Sequence, residues 1–311
     1  MFQATPPTVS DVDRLLDDVS NWGRWGDDDE LGTVNLLTDQ VRLAASTAVM
    51  FGRSVSLSRE LKPRAAPDYP NPVLHHMLRT GHEASVQGYA SSADWIGLAC
   101  HGFGVTHLDA LAHVFWKGTM YNGRPSSMVS ATGACLANAV GVMVDGLVCR
   151  GVFLDAPRVL GVDWIELGQA LTCDDLEACE QASGAKVKPG DAVFIRFGRD
   201  VRRSRLGIHE PLTAGNPGLA PECARWLRDR DVLVLGTDVT SDVMVPGAAP
   251  HTMPIHVAAL VGMGMPLVDN AQLERLAAAC RELGKNDFLL TVAPLALMRA
   301  TGCAVNPIAV L

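Results

Sequence analysis

Short apolar runs alternate along this chain with segments whose apolar residues recur every three or four positions, a pattern that predicts strands interleaved with helices. Residues 147–154, 192–197, 232–236 and 288–292 are mostly apolar, bounded by turn residues, and read as buried strands. Thr38 caps a predicted helix carrying Val41, Leu43 and Ala44 toward Gly52. Thr172 caps another, with Asp175 in its first turn and Leu176 and Cys179 turned inward. Pro221 opens a third through Ala224, Leu227 and Arg228. Leu273, Leu276, Ala277, Cys280 and Leu283 keep helical spacing until Gly284 closes a fourth. Residues 62–73 hold Pro63, Pro67, Pro70 and Pro72 and predict a long irregular connection. Residues 1–37 read as a loop-rich lead-in. With no internal repeat and no Gly/Ser linker, the expectation is one α/β domain over residues 1–311, a mixed β-sheet flanked by helices.

Composition narrows the classes. Over 311 residues, 48% are hydrophobic and 19% charged, which suits a globular chain with a sizeable core. A formal net charge of -8 argues against nucleic acid or an anionic membrane as partner. Polar residues interrupt every candidate apolar run before transmembrane length, and the first residues lack the basic and apolar regions of a signal peptide. A cytoplasmic location and a small-molecule partner are therefore expected. The eight cysteines form no CxxC pair, so neither a zinc-thiolate site nor a disulfide framework is expected. Most read as small buried hydrophobes, and Cys100 alone has a catalytic alternative.

The densest chemistry lies in residues 100–113. His101, His107, Asp109 and His113 all occupy odd positions, which share one face of an extended segment and can converge there. Imidazole with carboxylate is the usual ligand set for zinc, manganese or iron. Val105, Leu108, Leu111 and Ala112 draw His107 and Asp109 inside, where an unpaired carboxylate is costly unless a metal or a hydrogen-bond network compensates it.

Other residues can join that cluster. Asp238 ends an apolar run and reads equally as a ligand or as a turn cap. His251 and His256 follow, the latter inside an apolar stretch. Asp269 reads either as a further carboxylate for a metal or as the cap of a helix starting near Ala271. His76, beside the proline-rich segment, lines a pocket or sits on the surface. Trp22, Trp25, Phe103 and Trp116 are candidates for an apolar substrate wall, or for core packing. No G-x-G-x-x-G after a strand, no Walker A sequence and no G-x-S-x-G elbow occurs, which disfavours nucleotide chemistry and a serine hydrolase.

Thr106-His107-Leu108-Asp109 with His113 matches the T-H-x-D-x-x-x-H part of H-x-G-T-H-x-D-x-x-x-H. The chain thus resembles the metal-dependent cyclase-like hydrolases that include bacterial kynurenine formamidase and isatin hydrolase. Residues 21–26, 117–123, 190–196, 291–294 and 306–307 are similar to the longer branch of that family. The resemblance implies a swivelling β/α/β fold and a Zn2+ or Mn2+ cofactor, with His107 and Asp109 as ligands and His113 as base. It assigns His256 and Asp269 to a second metal position, where the family acid is commonly glutamate. The first motif histidine falls on Phe103, with His101 two residues earlier, and Val105 replaces the motif glycine. A bulge would return His101 to the ligand set. The implied activity is hydrolysis of a C–N bond in a small amide, formamide or cyclic amide, in a homodimer or homotetramer. A lactone hydrolase, a lyase or cyclase on the same site, and a catalytically silent ligand-binding relative are the alternatives.

Overall fold

The run predicted as a strand over 147–154 is the long central strand of a nine-stranded sheet, and the other three predicted strands lie in the same sheet. A computed structural model describes residues 2–82, 88–132, 135–248 and 252–311. In chain order the strands are β1 (Phe2–Gln3), β2 (Ser54–Ser56), β3 (Leu74–Arg79), β4 (Ala93–Gly97) and β5 (His107–Asp109). Next come β6 (Leu147–Asp155), β7 (Gln169–Leu171), β8 (Ala192–Arg196), β9 (Gly218–Leu219) and β10 (Val234–Thr237). The last are β11 (Leu267–Asp269), β12 (Asp287–Val292), β13 (Gly302–Ala304) and β14 (Ile308–Val310). The large sheet runs β13-β5-β11-β10-β8-β6-β12-β14-β2. Its centre, from β11 to β6, is parallel, and both flanks are antiparallel.

The helices are α1 (Val9–Val19), α2 (Asp39–Ser46), α3 (Ala156–Leu160), α4 (Cys173–Ser183) and α5 (Arg199–Leu206). They continue with α6 (Pro211–Ala214), α7 (Cys223–Asp229), α8 (Pro254–His256) and α9 (Glu274–Leu283), and α8 runs on as a π-helical segment, Val257–Met263. Strand side chains alternate between two cores, as the period of two requires. Val152, Leu154, Val193, Ile195, Leu235 and Leu267 pack with α1, α4, α7 and the π-helical segment. Phe153, Phe194, Val234, Val268 and Leu108 pack on the other face with α9. The expected mixed sheet flanked by helices is the fold observed.

The expected loop-rich lead-in, residues 1–37, contains a helix, α1. Thr8 and Asp11 form a capping box, and the amphipathic α1 buries Val12, Leu15 and Val19. The predicted helix after Thr38 is α2, which stops at Ser46 and leaves Leu43 exposed. The proline-rich segment contains no regular element. It leads into the β3–β4 hairpin, whose strands pair with each other and expose Leu74, Met77, Leu78, Trp95 and Ile96. No helix among the described residues is long and apolar enough to cross a membrane.

Candidate metal centre

One antiparallel corner of the sheet gathers the polar groups. Strand β5 lies between β13 and β11, and its residues His107 and Asp109, two apart, share a face. Register sets Asp269 of β11 directly opposite His107. The four odd-numbered residues do not lie along one extended segment: β5 covers only His107–Asp109. A loop ahead of it returns His101, and a turn after it returns His113.

Asp109 is the hub. Its Oδ1 lies 2.8 Å from His101 Nδ1, 3.3 Å from His107 Nε2 and 3.8 Å from His113 Nε2. Its Oδ2 lies 3.7 Å from His256 Nε2, and that nitrogen is 3.2 Å from Asp269 Oδ2. His107, Asp109, His256 and Asp269 are buried, whereas the side chains of His101 and His113 are each 27% exposed and form the mouth.

The outer nitrogens of the two buried histidines are already engaged. His107 Nδ1 donates to the Val105 carbonyl at 2.8 Å, leaving Nε2 to face Asp109. His256 Nδ1 lies 2.5 Å from Asp242 Oδ2, so its Nε2 points at Asp269 and Asp109. Asp242 also accepts from the backbone N–H of Ile255 and His256 and thereby caps the turn that carries His256. Ser241 Oγ donates to Asp269 Oδ1 at 3.0 Å. At the mouth, His101 Nε2 meets Thr301 Oγ1 at 3.2 Å, and the His101 and His113 rings stack at 3.7 Å, nearly parallel. Gly302 makes room for this: a Cβ there would stand 2.5 Å from His101 Cε1 and 2.7 Å from the Leu108 carbonyl oxygen.

Burial lowers the His101 pKa, but hydrogen bonds to Asp109 and Cys100 outweigh it and raise the group to about 10. Burial, assisted by the neighbouring His101, His256 and His107, pushes His113 down to about 4 despite Asp109. Burial also opposes ionisation of Asp109, yet His107, His101 and His113 hold its carboxyl well below the usual range. His256 is raised, since Asp269 and Asp242 outweigh its burial.

The donor set fits a divalent ion. His101, Asp109 and His113, and separately His107, Asp109 and Asp269, each present one ligand atom within 4.8 Å of the others. Asp109 belongs to both sets, and its Oδ2 is buried without a hydrogen-bond partner. A buried carboxylate oxygen of this kind costs free energy unless something positive meets it.

The remaining candidates have other partners. Asp238 is a cap: its carboxylate accepts from the backbone N–H of Phe197, Gly198 and Arg199 at the start of α5. Asp269 lies in the cluster, and α9 begins at Glu274. His76 stacks on Trp95 in the exposed hairpin. Trp22 Nε1 donates to the Val261 carbonyl, Arg24 lies over Trp25, and Trp116 Nε1 donates to Asp13 of α1. The Phe103 carbonyl accepts from Arg199. His251 lies outside the described residues. Asp242, Thr301 and Gly302 escaped the sequence reading because no local motif marks them; Thr301 and Gly302 meet residues from the first half of the chain, and Asp242 meets His256 across a loop.

The model of the cyclase family matches residues 55–242. A solved cyclase structure is 27% identical, with a TM-score of 0.86 over 95% of this chain and 99% of its own. An isatin hydrolase bound to the product analogue thioisatinate is 20% identical, with a TM-score of 0.58 over 88% of this chain and 99% of its own. Isatin hydrolase A from Ralstonia solanacearum is 23% identical, with a TM-score of 0.56 over 88% and 97%. The two isatin hydrolases share the fold. No curated protein sequence matches the chain. With its family match covering more than half of its length, the chain belongs to the cyclase family.

Proposed function

We propose that the protein is a metal-dependent hydrolase that cleaves a C–N bond in a small amide, formamide or cyclic amide. The observation that carries this reading is the buried, unpartnered Oδ2 of Asp109 amid imidazoles whose Nε2 atoms face inward. His101, His107, Asp109, His256 and Asp269 would hold Zn2+ or Mn2+. Such an ion supplies Lewis acidity, polarising a carbonyl and lowering the pKa of water from about 15.7 toward roughly 7.

The chain's own groups do the rest. His113 stands at the mouth, partly exposed and stacked on His101, where it can take a proton from the attacking water and return it to the leaving nitrogen. Its ring is held neutral, as an acceptor must be. Asp242 and the Val105 carbonyl fix the tautomers of His256 and His107. Phe103 and Trp116, on either side of the motif, would supply the apolar wall for a ring. The likeness to an isatin hydrolase supports the choice of amide chemistry.

The test is a panel of aryl formamides, cyclic imides and lactones offered to metal-loaded protein, with product masses read for the gain of one water. His113→Ala should keep its metal while turnover falls about 10²-fold or more. His107→Ala should lose the metal itself. Full turnover by His113→Ala would remove that residue from its role, and a panel without any product would remove the activity.

A further inference from the structure

Two thiols distant from the metal centre meet at a separate sheet edge. Strands β7 and β9 run parallel with Leu171 opposite Leu219. The Leu171 carbonyl accepts from Ala220 N–H at 2.9 Å, and Cys223 Sγ lies 3.3 Å from the same oxygen. Two residues beyond Leu171, Cys173 begins α4, and Cys223 begins α7. The strand register therefore brings the starts of the two helices together, and with them Cys173 and Cys223, since the Cys223 thiol donates to a carbonyl two residues before Cys173. Cys223 is fully buried and Cys173 is partly exposed.

We propose that Cys173 and Cys223 are an oxidisable dithiol, a modification site that closes to a disulfide under hydrogen peroxide. The Cys173 sulfur attacks one peroxide oxygen, the O–O bond breaks, and a sulfenic acid and hydroxide form. The Cys223 sulfur then attacks the sulfenic sulfur; the S–S bond forms, the S–O bond breaks, and water leaves with the Cys223 proton. Two thiols lose two electrons in all, and one peroxide becomes two waters.

The division of roles follows from access and environment. The Cys223 thiol lowers the pKa of Cys173 from the ordinary range, against burial and the charges of Glu222, Asp174 and Glu177. Burial instead pushes Cys149, Cys179 and Cys280 up to about 12, which keeps those thiols inert. The bond would tie α4 to α7 and close a loop of about 50 residues, a length at which a cross-link restrains the unfolded chain strongly.

Reduced protein treated with a small excess of peroxide, then alkylated and digested, tests the site. The expected product is a monomer lighter by about 2 Da, with a linked peptide pair containing Cys173 and Cys223. Its melting temperature should rise by several degrees and return with dithiothreitol. Cys173→Ser, at the partly exposed position, should abolish both the link and the shift, and so should Cys223→Ala, the second variant. Peroxide treatment that leaves both thiols free to alkylate, over-oxidises Cys173 alone, or joins two copies of the chain would overturn the proposal.

Discussion

Gly302 decides whether His101 can reach Asp109, because any side chain at that position would overlap the His101 ring and the Leu108 carbonyl. His101 departs from the family spacing by two residues, and the structure shows how the departure is absorbed: the loop before β5 folds the ring back until Nδ1 is 2.8 Å from Asp109. Gly302→Ala should cost about 1–3 kcal/mol through overpacking. It should also weaken metal binding as much as His101→Ala does, when both are titrated with Zn2+ in isothermal calorimetry. Wild-type affinity in both variants would strike His101 from the ligand set. His107, Asp109 and His113 were legible in the sequence because they sit within seven residues of one another and match a motif. His256 and Asp269 were open candidates from the residues alone, and only the resemblance joined them to a metal position, since their spacing carries no local signal. Asp242 carried none at all: the residues it caps and orients lie beyond any local window.

At the scale of elements, α5 is held at its start by two carboxylates with different duties. Asp238 caps it from the end of β10, which decides between the two readings of that residue. Asp200, in the first turn of α5, pairs with Arg59 at 2.6 Å. Arg59 also donates to the carbonyls of Asp238, Asn270 and Ala271, and so ties the irregular segment to the strands around the centre. Burial alone would raise the Asp200 pKa, but Arg59 outweighs it and holds the carboxyl below its ordinary 3.8. A lowered folded-state pKa contributes stability that is present above pH 4 and lost as the pH falls through the folded value. Asp200→Asn should therefore cost about 2 kcal/mol near pH 7, and urea unfolding should show the gap to wild type closing below about pH 4. A gap that stays constant down to pH 3 would contradict this account of the pair. Elements with a cap and a helical period were the readable ones. The Thr172–Asp175 box marked α4, and the same box at Thr8–Asp11 marks α1, which was passed over among the prolines and glycines near it. Strands β5, β11 and β13 have three residues each, too few to show a period, and β3–β4 lacks the buried face that produces alternation.

For the whole molecule, the sheet acts as an assembler. Its antiparallel corner joins residues 101–113 to Asp242, His256, Asp269, Thr301 and Gly302, although more than a hundred residues separate the first group from the others. Two cores pack the strands from both faces, and His101 and His113 form the partly exposed edge of the polar cluster. The fold class was readable from the alternation of apolar runs and helical periods. The order of the strands was not, because pairing partners come from opposite ends of the chain. The central claim is that Asp109 and the groups around it hold a divalent ion, and metal content tests it most directly. Protein saturated with Zn2+ or Mn2+ and desalted at neutral pH should retain at least one equivalent per chain by elemental analysis, and folded Asp109→Asn should retain none. Folded wild-type protein that emerges without metal, or an Asp109→Asn variant that holds as much as wild type, would contradict the account.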